Sequence, residues 1–290
     1  MDTEEVDLDE VEREKDIEKR EEADVLAFFA KQRHRCVQTG PGWFIPQLKD
    51  FLLDEDVSEG DRYYCEPRPR DKNIEDVPEK HPLRAIFTVF KSVTESILQA
   101  EKASGIPDTE ERIIRIYAYS LACPFALDLL VHYAKHFKIR VILHPKFHSI
   151  KMMKVYVDSL PHNADAGSPR RGIENLSIRA ANLQGLHETS SMHQKQIIVG
   201  DLMLVGSYNL SLAARCYNWE SIFVVKTLQD DIFRFDAMWE DLEGRTILVF
   251  DPDEQLFPEK ERMKIRQYKA KVHPKQAAAV NLYKKPKPSS

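Results

Sequence analysis

The chain predicts an α/β fold, a mixed β-sheet sandwiched by helices, and three observations carry that reading. Along residues 61–250, apolar residues at helical spacing alternate with short runs rich in β-branched and aromatic residues. Two such runs, Gln196–Val199 and Leu202–Val205, flank the turn Gly200-Asp201, which marks a tight hairpin within the alternation. Charged residues make up 31% of the 290 residues and are densest near the two ends, so the centre is left to build a core.

Four regions follow along the chain: an acidic arm (1–24), a helical N-terminal extension (25–60), the α/β domain (61–250) and a basic tail (251–290). The arm holds 13 acidic against four basic residues and reads as a solvated helix or a disordered segment. Apolar residues from Val25 to Leu53, broken by the turn Thr39-Gly40-Pro41-Gly42, predict a helix, a turn and a second helix. Strands are predicted at Arg62–Glu66, Arg112–Tyr119, Ile139–Leu143, Leu176–Arg179 and Glu220–Lys226, besides the hairpin pair. Helices are predicted at Leu83–Glu101, Pro124–Phe137, Ile150–Leu160, Leu210–Cys216 and Asp231–Glu243, with a loop over Asp165–Gly172. Between Glu259 and Ser290 stand ten Lys or Arg against two acids, a segment suited to a solvated role or to an anionic partner.

Cys36, Cys65, Cys123 and Cys216 lie far apart without a CxxC pair, so free thiols in a reducing compartment are expected. No stretch approaches the ~18–20 apolar residues that span a bilayer. The acidic N-terminus resembles neither a secretory signal nor a transit peptide. These features predict a soluble intracellular protein, cytoplasmic or nuclear.

The chemistry concentrates between Met192 and Glu220. His193 and Lys195 stand two apart at the start of a strand, so their side chains share a face. The return strand ends in Gly206-Ser207-Tyr208-Asn209 just before a helix, whose first N–H groups could face an anion. An imidazole, an ammonium, a hydroxyl and an amide converging on one small space suit a phosphate. His144-Pro145-Lys146 has the same local form, but no apolar strand and no Gly-Ser-x-Asn follow it, so no role is expected for His144.

This stretch resembles the phospholipase D superfamily, whose motif is H-x-K-x4-D-x6-G-S-x-N with a Glu eleven residues beyond the Asn. His193, Lys195, Gly206, Ser207 and Asn209 match it, and Glu220 sits eleven after Asn209. The layout is similar to the single-motif branch of bacterial endonucleases and mitochondrial cardiolipin hydrolase. One departure stands out: five residues separate Lys195 from Asp201 and four separate Asp201 from Gly206, so the hairpin is shorter by one and the Asp column could fall on Gly200.

The resemblance implies a metal-independent phosphodiesterase without a cofactor, working through a phosphohistidine. It implies a homodimer, because the mechanism needs two histidines and each chain supplies one motif. Catalytic roles fall to His193, Lys195, Asp201 (as a support) and Glu220 (as the acceptor that fixes the His193 tautomer). Phosphate binding falls to Lys195, Ser207 and Asn209. Nucleic acid is the favoured substrate because of the basic tail. A phospholipid, as for a cardiolipin hydrolase, or a catalytically inactive scaffold are the alternatives.

Elsewhere, His132 and His136 share a predicted helix face but lack a third ligand, so packing or surface roles are expected rather than a metal. Arg215 reads as a surface arginine. Tyr117, Tyr119 and Phe125 read as core residues rather than a base-stacking platform.

Overall fold

Every strand predicted from the sequence is present, and all of them join one sheet. The computed structural model describes residues 52–53, 55, 57–68, 77–105, 112–145, 149, 153, 175–181, 191–240 and 246–250, with Asp16, Lys19, Arg20 and Ala23 near the N-terminus. The rest of the acidic arm, most of the 25–60 extension, the Ile150–Leu160 helix apart from Met153, the 165–172 loop and the basic tail lie outside these residues.

The elements in order are β1 Arg62–Cys65, α1 Pro82–Ser104, β2 Ile113–Ala118, α2 Pro124–Tyr133, β3 Lys138–Leu143 and β4 Leu176–Ala181. Then follow β5 Gln196–Val199, β6 Leu202–Gly206, α3 Leu212–Cys216, β7 Glu220–Lys226, α4 Gln229–Trp239 and β8 Thr246–Phe250. The eight strands run in the order β1-β7-β6-β5-β2-β3-β4-β8. The trio β2, β3 and β4 is parallel, with α2 making the crossover that a parallel pair requires. All other neighbours are antiparallel.

The predicted sandwich follows from the two faces of β2, all six of whose residues are buried. Ile114, Ile116 and Ala118 enter the larger core with Phe87 and Phe90 of α1 and Leu127 and Leu130 of α2. On the opposite face, Tyr117 joins Ile142, Ala181 and Met192 beneath Phe235 and Trp239 of α4. Arg115 faces this side too and is buried, its guanidinium gripping Asp236 of α4 through Nε–Oδ1 at 3.0 Å and Nη2–Oδ2 at 2.8 Å. A two-pronged Arg–carboxylate contact offsets the cost of burying the charge and sets where α4 sits along the sheet.

Strand β8 is one element that the sequence reading left unassigned. Its run Thr-Ile-Leu-Val-Phe has no polar alternation to mark a strand, and only pairing with β4 reveals one. Helix α2 stops at Tyr133, four residues short of the prediction. A turn follows over 134–136, and the Asn175 amide donates to the Ala134 carbonyl at 2.9 Å. Arg215, expected on the surface, is instead among the most deeply buried side chains. Its guanidinium lies 4.6 Å from the Phe125 ring centre and Nη1 is 3.7 Å from Cys123 Sγ. It stands on the inner side of α3, whose single turn is packed into the core on Leu212 and Ala214.

Helix α1 begins one residue before the predicted start because His81 caps it, a role that usually falls to Ser, Thr, Asp or Asn. Its Nδ1 accepts the Leu83 N–H at 3.0 Å, so in neutral His81 the proton sits on Nε2, which donates to the Arg215 carbonyl at 3.1 Å. Burial lowers the His81 pKa to about 3, with Arg68, Arg215 and Arg84 acting in the same direction. In the unfolded chain the group takes up its proton near 6.5, so the native state binds fewer protons between pH 6.5 and 3. Stability is therefore expected to fall on acidification through that window. In His81→Asn, which keeps a cap acceptor, urea midpoints between pH 7 and 4 should change less than in the wild type.

Candidate active site

Strand register brings all the predicted site residues except Asp201 to one end of the strands. Tyr117 of β2 pairs with Gln196 of β5, Gln196 with Val205 of β6, and Gly206 with Ile222 of β7. The carboxyl ends of β2, β3 and β6 therefore meet the amino ends of β5 and β7. His193, Lys195, Ser207 and Glu220 are gathered there although the chain between the first and last spans 27 steps of sequence. Gaps beyond the carboxyl ends of parallel strands are common ligand sites in α/β sheets.

Gly206 is required by this closure. A Cβ at Gly206 would run into the Ser221 carbonyl oxygen and would sit 2.9 Å from Ile222 Cα, so β6 and β7 approach too closely for any side chain. Ser207 then locks the end of the ladder: its N–H donates to the Ser221 carbonyl at 2.9 Å, and its Oγ accepts the Ser221 N–H at 3.0 Å.

Lys195 is half-buried. Its ammonium donates to the His193 carbonyl at 2.8 Å and lies 5.1 Å from the centre of the Tyr119 ring. Burial pulls the Lys195 pKa down, and the nearby Glu220 carboxylate opposes that shift. Lys195 and Asn209 line the same small, mostly apolar cavity, with room for about one water molecule, together with Ile86, Ile197, Leu204 and Tyr208. The Asn209 Oδ1 is buried there without a hydrogen-bond partner, which costs free energy unless a ligand or water meets it. His193 is exposed, with its ring edge-on to Tyr119 at 4.9 Å.

Three expectations meet a different arrangement. Glu220 is buried and accepts from the Asn218 amide at 3.1 Å, not from His193. Asp201 lies in the exposed hairpin turn at the far end of β5, about 16 Å from Lys195 at ~3.3 Å per residue. There its carbonyl accepts the Thr227 N–H at 2.8 Å, so Asp201 ties the β5–β6 turn to the chain leaving β7 rather than joining the cluster. The shortened hairpin also excludes an acid at position 200. Gly200 has φ +57°, and a Cβ there would come within 2.7 Å of Val93 Cγ1. Finally, α3 has only five residues, and its N-cap Ser211 Oγ already accepts the Ala214 N–H, so this N–H is not free to meet an anion.

Two residues absent from the sequence-based site do join it. His144, at the end of β3, stacks on Tyr119 at 4.7 Å and an interplanar angle of 25°, and its Nδ1 accepts the Met192 N–H at 3.3 Å. Tyr119 is half-buried at the end of β2, whereas Tyr117 and Phe125 are in the core as expected. His144 carries only the bare His-x-Lys form and Tyr119 no motif at all; their places at the ends of the adjacent strands β3 and β2 bring them to the site. His132 and His136 sit at the end of α2 and its following turn, and the described residues contain no cluster of three or more metal-ligating side chains.

The chain is similar in structure to a phospholipase D family member. That protein is Nuc from Salmonella typhimurium, at 19% identity over 58% of this chain and 91% of Nuc, with a TM-score of 0.37. NucT from Helicobacter pylori is similar at 16% identity over 55% and 92% of the two chains, with a TM-score of 0.33. Phosphatidylserine synthase from Haemophilus influenzae is similar at 12% identity and a TM-score of 0.41, over 78% of this chain and 48% of the synthase. No protein-family model and no curated protein matches the chain. Among the described residues, no helix is long and apolar enough to cross a membrane.

An ammonium whose pKa is pulled down by burial loses its charge earlier as pH rises. If Lys195 holds a phosphate, the alkaline limb of activity should therefore fall below the ordinary lysine value of 10.5. Lys195→Arg, whose guanidinium keeps its charge, should remove that limb from the measured pH–rate profile even if its rate is lower.

Proposed function

We propose that the protein is a metal-independent phosphodiesterase whose site is shared by two subunits. The observation that supports this most directly is that the Lys195 ammonium and the His193 ring stand together on Tyr119, where the carboxyl end of β2 meets the amino end of β5. The cation can hold the oxygens of a phosphodiester, and the exposed imidazole beside it can approach phosphorus.

In the first step one His193 nitrogen forms a bond to phosphorus and the P–O bond to the leaving group breaks. The partner subunit's His193 gives its proton to the departing oxygen. In the second step the same partner imidazole takes a proton from water. The resulting hydroxide attacks phosphorus, breaks the P–N bond and returns the first histidine to its neutral state. Lys195 from each subunit stabilises the charge gathering on the remaining phosphoryl oxygens, the part a metal plays in other phosphodiesterases. Asn209 and Ser207 orient those oxygens. Glu220, through its field at Lys195, favours the charged ammonium.

Nucleic acid is the substrate favoured by the sequence, since ten basic residues crowd the segment from Glu259 to Ser290 and a polyanion is drawn to such a segment. Hydrolysis of bis(p-nitrophenyl) phosphate in EDTA tests the chemistry: activity is expected in the wild type and loss in His193→Asn. Cleavage of oligonucleotides that weakens steeply with salt would support the nucleic-acid substrate. Turnover of anionic phospholipid vesicles in its place would assign the phospholipid reading. EDTA-sensitive activity that survives His193→Asn would overturn the mechanism.

A further inference from the structure

We infer that Tyr119 is the positioning residue of this site, a ring that holds both the His193 imidazole and the Lys195 ammonium in their working places. The inference rests on the reading of His193 and Lys195 as the reacting pair. Three contacts converge on it, and a fourth braces one of its partners. The His193 ring is edge-on to Tyr119 at 4.9 Å, and the Lys195 ammonium lies 5.1 Å from the ring centre. His144 stacks on Tyr119 at 4.7 Å, and it also ties down the residue before His193 by accepting the Met192 N–H at 3.3 Å.

The physical logic lies in what else holds these groups. His193 is exposed, and the Glu220 carboxylate is engaged by Asn218 rather than by the imidazole. An exposed imidazole with no carboxylate partner among the described residues would sample several rotamers. The negative face and positive edge of an aromatic ring favour an edge-to-face neighbour over other orientations. The same ring attracts an ammonium within about 6 Å of its centroid, more strongly where water is partly excluded, as it is around the half-buried Lys195. Tyr119 thus serves the two reacting side chains together and keeps their spacing while the phosphate enters. His144 backs the ring from β3, the strand next to β2, so the arrangement is anchored to the central strands and not to a loop alone.

Because these contacts are made by the ring, Tyr119→Phe should preserve them and Tyr119→Leu should not. Misplacing a reacting group by about 1 Å costs on the order of 10²-fold, so kcat should drop by about that factor in Tyr119→Leu and stay within about threefold in Tyr119→Phe. KM should rise by a smaller factor than kcat falls, because Lys195 keeps its charge and its bond to the His193 carbonyl. The second readout does not need activity. In NMR spectra, the His193 ring resonances should shift in Tyr119→Leu and match the wild type in Tyr119→Phe. A folded Tyr119→Leu protein with wild-type kcat and unshifted His193 resonances would overturn the inference. So would a Tyr119→Phe protein as impaired as Tyr119→Leu, because the hydroxyl would then be the working group. If Tyr119→Leu does not fold by circular dichroism, cross-peaks between the Tyr119 and His193 rings in the wild type decide, and their absence overturns the inference. A wild type with no phosphodiesterase activity would remove the mechanism proposed above while leaving the NMR comparison to judge Tyr119.

Discussion

Equal amounts of wild-type and His193→Asn chains, unfolded together and refolded, are expected to recover about a quarter of the activity of the same total amount of wild-type chain. With random pairing in a two-fold dimer, about one pair in four carries two intact histidines. The mechanism assigns one His193 to attack phosphorus and the other to donate the proton, so a mixed pair lacks one half of the reaction. The all-mutant protein should lose roughly 10⁴-fold in kcat, the upper end of what a general acid supplies, with the nucleophile removed as well. His193 is exposed and, among the described residues, its ring packs on Tyr119, so the substitution should leave the thermal midpoint nearly unchanged. Recovery of about half of the activity would mean that each chain works alone. The shared site would then be wrong even if His193 is essential.

Gly206→Ala is expected to be the most destabilising single-methyl change in the hairpin. The added Cβ meets the Ser221 carbonyl oxygen and Ile222 Cα at 2.9 Å, and both are backbone atoms of the neighbouring strand that cannot rotate away. Relief requires β6 and β7 to separate, which stretches the Ser207–Ser221 hydrogen bonds at 2.9 and 3.0 Å. Overpacking of this kind costs about 3 kcal/mol. At roughly 2–4 °C per kcal/mol for a domain of this size, the thermal midpoint should fall by about 10 °C. Activity should fall further than stability explains, because Ser207 and Asn209 follow Gly206 directly. A midpoint within about 2 °C of the wild type would mean that the β6–β7 approach is looser than the geometry implies.

Strands and helices were legible because their signals are local. Glu220–Lys226 matches β7 residue for residue, and the hairpin at Gly200-Asp201 falls where its turn was read. Apolar spacing and turn residues suffice for such elements. The misses are of another kind. Thr246–Phe250 becomes a strand only through its partner β4, and Arg215 is buried only because Phe125 and Cys123, some 90 residues earlier, receive it. His81 became a cap because the Arg215 carbonyl takes its other nitrogen, an acceptor that no nearby residue announces.

The candidate site divides along the same line. His193, Lys195, Gly206, Ser207, Asn209 and Glu220 lie within one hairpin and the strand after it, so their chemistry and spacing could be read directly from the chain. Tyr119 and His144 come from β2 and β3, and Asp201 leaves the cluster because four strand residues carry it to the opposite end. Sequence alone determined which groups the hairpin carries, since side-chain identity and strand period are local properties. Tertiary structure decided which distant rings stand beside them, because the order β5-β2-β3 sets neighbours across the sheet and residue spacing along the chain does not.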